Sequence, residues 1–105
     1  MSATRPWVNA FADLMEKKLA QNRHKGDRDG WALDAPLALL KRLKEEVREL
    51  EDVLKRQRAN QDDGLDHGPT GAAERRAVVG EAADVANFAM MIADVAGGLK
   101  AKAPR

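Results

Sequence analysis

The stretch that decides the fold is Gly80-Glu81-Ala82-Ala83-Asp84-Val85-Ala86-Asn87-Phe88-Ala89-Met90-Met91-Ile92-Ala93-Asp94-Val95. Between Ala82 and Ala96 it is built almost wholly from Ala, Val, Met, Phe and Ile, apolar nearly all round, as in helices that are buried on several sides. One stripe along it, Ala77, Glu81, Asp84, Phe88, Met91 and Val95, follows the alternating four- and three-residue spacing of an inward-facing helix seam. Two members of that stripe are acids. Gly97-Gly98 supplies a stop, so this helix is predicted from near Ala72 to Ala96.

Working outward, a second amphipathic segment is predicted from Pro36 to about Arg58, with Asp34 as its N-cap. Leu39, Leu43, Glu46, Leu50 and Val53 form the same kind of stripe, with an acid at its centre. A first helix is predicted from about Thr4 to Gln21, with Thr4 capping, Pro6 in the first turn and Val8, Phe11, Met15 and Leu19 at helical spacing. The residues from Asn22 to Trp31, with two Gly and alternating charges, read as a loop. Residues 59–71 read as a flexible connector and residues 99–105 as a frayed tail. No strand is expected. The chain of 105 residues is thus expected to be one all-α domain, 1–105.

Three such helices leave apolar faces that they cannot cover among themselves. A homodimer or homotetramer that completes a four-helix-type bundle is the expected solution. Composition narrows the function classes. There is no Cys, which excludes thiol chemistry, thiolate zinc and iron–sulfur sites and accords with a cytoplasmic location. A net charge of +1 and basic residues dispersed among acids argue against nucleic acid as a partner and against a helix-turn-helix reading. No apolar run reaches the length of a membrane span, and the N-terminus lacks the pattern of a signal peptide.

The acids are the informative feature. An unpaired buried carboxylate costs several kcal/mol, so acids on apolar stripes require compensation. Lys41, Lys44, Arg48, Lys55, Arg75 and Arg76 lie mostly off the stripes, which makes ion pairing a poor candidate and a divalent cation a better one. Glu46 with Glu49 and Glu81 with Asp84 are each three residues apart on one helix, so facing helices can converge four carboxylates on one site. With two His in the chain, such an ion would be held by oxygen, which suits Mg2+, with Mn2+ as a substitute. Taken alone, the Glu45, Glu49 and Glu51 set also fits an ordinary solvated face.

Glu45-Glu46-Val47-Arg48-Glu49 is an EExxE motif and Glu81-Ala82-Ala83-Asp84 an ExxD motif. With Leu40-Lys41-Arg42-Leu43-Lys44 before the first and Val85–Ile92 after the second, they resemble the MazG-like, all-α nucleoside triphosphate pyrophosphohydrolases. The segment Asn22-Arg23-His24-Lys25-Gly26, followed by Gly30-Trp31, is similar to one in small members of that family. The resemblance covers roughly residues 7–97. It implies hydrolysis of a (d)NTP between the α- and β-phosphates to a monophosphate and pyrophosphate, for nucleotide-pool cleansing or balance. It also implies magnesium held by Glu46, Glu49, Glu81 and Asp84, the same four acids that make up the two three-apart pairs. Glu45 then orients the attacking water, supports the ligands from behind, or is a surface residue. Lys25 and Arg28 become phosphate partners. Trp31 either stacks on a base or packs over the second helix, and Asn87 either bonds a base or sugar or is a structural amide. The alternatives are hydrolysis of phosphoribosyl-ATP and a non-catalytic oligomerisation or regulatory module of the same fold.

Overall fold

In the computed structural model, residues 4–22, 28–61 and 65–99 are described, residue 29 by its backbone alone. They form three long helices and one single turn, in the order α1 (Pro6–Gln21), α2 (Arg28–Trp31), α3 (Pro36–Ala59) and α4 (Ala72–Val95). No strand occurs among the described residues. No helix among them is long and apolar enough to cross a membrane.

Two helix starts differ from the sequence expectation, for one reason. A proline disfavours the helical region for the residue before it. Arg5 is therefore extended (ψ 146°) ahead of Pro6, and Ala35 is extended (ψ 142°) ahead of Pro36. These residues, rather than Thr4 and Asp34, occupy the N-cap positions, and neither helix has a side-chain cap. The far end of α4 follows expectation more closely. Gly97 takes a positive φ of 77°, its N–H bonds the carbonyl of Asp94, and the Gly98 N–H bonds that of Ala93. That pair of bonds is a Schellman closure, and it places the C-cap at Ala96.

A further correction concerns residues 28–31, which form a helical turn instead of loop. Positions three apart on one turn project side by side, so Arg28 and Trp31 reach the same acceptor on α4. Within the expected connector, Gly68 has a φ of 73° and its N–H bonds the Asp66 carboxylate. Residues 62–64 of that connector and 100–105 of the expected tail lie outside the described residues.

α4 packs most extensively on α3 and also on α1. On α3 the anticipated stripe is realised: Leu39 and Val53 are buried, and Leu43, Glu46 and Leu50 are half-buried between them. On α4 the most buried line is Ala83 and Asn87, while Ala77, expected to face inward, is exposed. The shift has a geometric cause. α4 is covered from two sides, Asn87 bonding α1 and Phe88 meeting α3, so its deepest line falls between the two contacts. The acids sit on the flank of that line. Leu39, Val53 and Ala83 are the buried apolar side chains among the described residues. Trp7, Leu33 and Leu37 remain largely exposed.

Candidate metal centre and adjoining cleft

Glu46 enters from the middle of α3, and Glu81 and Asp84 from facing turns of α4. One oxygen from each lies within 4.8 Å of the others. All three residues are half-buried. The Oε2 atoms of Glu46 and Glu81 are buried with no hydrogen-bond partner. Glu49 belongs to an exposed position on α3, outside the three-oxygen group, yet its carboxyl adjoins both Glu46 and Glu81 and acts on their titration. The structure thus brings three of the four anticipated ligands together and puts the fourth alongside. Glu45 is exposed on α3 and does not join the cluster.

Two of these carboxyls, Glu46 and Glu81, resist ionisation. Burial lifts Glu46 from 4.5 to about 7, helped by a hydrogen bond with Glu49 and by the charges of Glu49, Asp84 and Glu81. Burial also raises Glu81, with Glu49 and Asp84 adding to the effect and Lys18 opposing it. Lys18 qualifies the sequence expectation that ion pairing is a poor candidate for compensating the acids. Its Nζ lies 3.4 Å from Asp84 Oδ2, and it comes from α1 rather than from the acids' own helices. One ammonium leaves the cluster net negative. An all-oxygen set with two unpartnered buried acceptors fits a hard divalent cation.

Beside the acids runs a cleft of about 470 Å³. Glu46, Glu49 and Asp84 line it on one side; Trp31, Phe88 and Met91 give it apolar surface, and Lys18 and Arg42 give it positive charge. The Arg42 guanidinium carbon lies 4.8 Å from the centre of the Phe88 ring, a cation–π contact between α3 and α4. Glu81 opens instead onto a neighbouring hollow, which shares Glu49 as a lining residue with the cleft.

The anticipated substrate-binding residues separate into three groups. Lys25 lies outside the described residues, as does His24. Arg28, expected on a phosphate, instead clasps Asp94: its Nε and Nη2 donate to Oδ2 and Oδ1 at 3.0 and 3.1 Å, and it does not line the cleft. The cause is proximity, since α2 sets its guanidinium against the end of α4. Trp31 lines the cleft, and its Nε1 donates to Asp94 Oδ2 at 2.9 Å, which fastens it to α4. Asn87 lines the cleft too, but it is 4 % exposed and its Nδ2 donates to the Met15 carbonyl at 3.1 Å. It ties α1 to α4, the structural role of the two foreseen, and its Oδ1 is buried without a partner.

Three residues escaped the sequence reading. Lys18 continues the Phe11, Met15 spacing of α1, a position where a core residue was due, and that was its signal. Asp94 carried another, an acid in the last turn of a helix, against the helix dipole. Arg42 carried the same signal as Lys18, lying three residues after Leu39 and four before Glu46 on a charged helix. Comparison of the chain with protein-family models, with curated proteins and with solved structures found no match.

Proposed function

We propose that the chain is a magnesium-dependent nucleotide pyrophosphohydrolase, cleaving a (d)NTP between its α- and β-phosphates to a monophosphate and pyrophosphate. Its work would be cleansing or balancing the cytoplasmic nucleotide pool. The observation that carries this reading is the convergence of Glu46, Glu81 and Asp84, with two unpartnered buried oxygens, beside a cleft that combines aromatic surface with positive charge. The EExxE and ExxD resemblance to MazG-like enzymes supplies the reaction class; the geometry supports it by putting the two motifs against each other.

In this reading Glu46, Glu81 and Asp84 hold the cation, with Glu49 beside them. When bound, the ion neutralises phosphate oxygens and lowers the pKa of a coordinated water. The chain's own residues do the rest. Lys18 and Arg42, rather than Arg28, offer positive charge to the phosphates from within the cleft. Trp31 and Phe88 give a planar ring apolar surface and exclude water around it. We further propose that copies of the chain associate into a homodimer or homotetramer, because a monomer exposes Val47 and Leu54 along one face of α3.

The test is turnover of purified protein on canonical and modified (d)NTPs and on phosphoribosyl-ATP, with magnesium and with EDTA, scoring pyrophosphate apart from orthophosphate. Magnesium-dependent pyrophosphate release from a nucleoside triphosphate supports the reading. Release from phosphoribosyl-ATP alone moves the substrate, and no turnover by folded, metal-loaded protein leaves a non-catalytic module.

A further inference from the structure

Asp94 stands where a carboxylate is unfavourable. It lies in the last turn of α4, at the negative end of the helix dipole, and no basic residue of that turn offsets it. Its charge is matched from elsewhere in the chain. Arg28 approaches side-on with two N–H donors, and the Trp31 indole N–H adds a third bond to the same carboxylate. The Asp94 side chain is 13 % exposed but that of Arg28 is 58 % exposed, so the Arg28 bonds stand open to water and the Trp31 bond is the half-buried one.

The three bonds do for α2 what its length cannot. A four-residue turn has fixed its backbone for almost no internal hydrogen bonding, so it persists by tertiary anchoring. Both donors project from that turn to one acceptor. Gly30 and Trp31 of the turn line the cleft, and Glu46 and Asp84 line it from α3 and α4. An indole fastened at its N–H has its orientation fixed, and Trp31 is half-buried where it lines the cleft.

We infer that Asp94 is a positioning residue, which holds Trp31 as the wall on which the planar ring of a ligand packs and so makes the cleft favour ring-bearing phosphates over bare phosphate chains. This rests on the nucleotide reading above and deepens it. Asp94 touches no substrate in this scheme and acts through Trp31.

The experiment uses the full chain in a Trp7→Phe background, where Trp31 is the remaining indole. Asp94→Ala removes the acceptor, and Arg28→Met releases the clasp with Asp94 in place; circular dichroism verifies helix content in both. Acrylamide quenching of Trp31 is expected to rise about twofold, and KM for a nucleoside triphosphate roughly fivefold or more, the scale of a lost stacking contact, with kcat within about twofold. Inhibition by inorganic tripolyphosphate, which has no ring, is expected to stay unchanged. Unaltered quenching and KM in both variants, on a background that turns over, overturn the inference while sparing the nucleotide reading. If that background turns over no nucleotide, the nucleotide reading fails and the inference is judged by binding. Deoxynucleoside α,β-methylene triphosphates that change Trp31 emission in the background, and not in the variants, support it. No emission change in the background overturns it.

Discussion

The Nζ of Lys18 on α1 lies 3.4 Å from Asp84 Oδ2 on α4, with the two side chains 30 % and 22 % exposed. A cation from one helix thus answers acids gathered by two others. It partly offsets their repulsion, and it engages a carboxylate that a divalent ion would use.

Lys18→Met separates those two effects. Without its counter-ion the metal-free protein is expected to lose about 0.2–1 kcal/mol, the range for a partly exposed pair. Affinity for magnesium is expected to rise, because Asp84 is released and a competing positive charge is gone. Denaturant melts in EDTA and calorimetric titration with magnesium measure the two quantities; a variant with unchanged stability and weaker binding contradicts the arrangement.

Glu46 makes the stability of the metal-free protein depend on pH in a direction opposite to ordinary salt-bridged acids. Its folded value of about 7 stands above the 4.5 of an unperturbed glutamate. Between those values the folded chain holds a proton that the unfolded chain has released, so the contribution is full below pH 4.5 and is lost as pH rises through 7. After screening by solvent it amounts to about 1 kcal/mol. Thermal melts in EDTA across that window are expected to fall, and Glu46→Gln to flatten the slope.

Glu81→Gln tests whether the cluster is tuned for a ligand at the expense of the fold. Removing one negative charge from among Glu46, Glu49 and Asp84 is expected to stabilise the metal-free chain by up to about 1 kcal/mol. The same change is expected to abolish magnesium-dependent turnover and to weaken magnesium binding at least tenfold, about the scale of losing a ligand or its support. Lower stability with retained binding would mean that Glu81 is an ordinary structural acid.

The proposed self-association has its own handle. Val47 and Leu54, 43 % and 39 % exposed, lie seven residues apart on one face of α3. Replacing both by Glu is expected to lower the sedimenting mass to that of one chain while helix content persists. An unchanged mass would move the interface elsewhere, and a wild-type monomer would remove it.

Much of the fold was legible because helices are written locally. The stripe Leu39, Leu43, Glu46, Leu50, Val53 needs nothing but the period of the helix to be seen, and it is the stripe that α3 buries. The pairing of Glu46 with Glu81 and Asp84 was also readable, since acids on apolar stripes point to a common interior. Other features were not. Asn87 reads equally as ligand or structural amide until α1 is seen to place the Met15 carbonyl against it. The most buried line of α4 depends on how two neighbours divide its surface, which no periodicity in α4 itself encodes.

What the sequence determined alone was therefore the number of long helices, the stop of α4 at glycine, and the positions of the acids along the helices, all set by backbone preferences and side-chain period within a few residues. What the tertiary structure decided was which charges meet. Lys18 reaches Asp84, and Arg28 with Trp31 reaches Asp94, across 66, 66 and 63 positions respectively. Such long-range pairings follow from the packing of α1 and α2 against α4, and their energies depend on distances and burial that exist only once the helices are assembled.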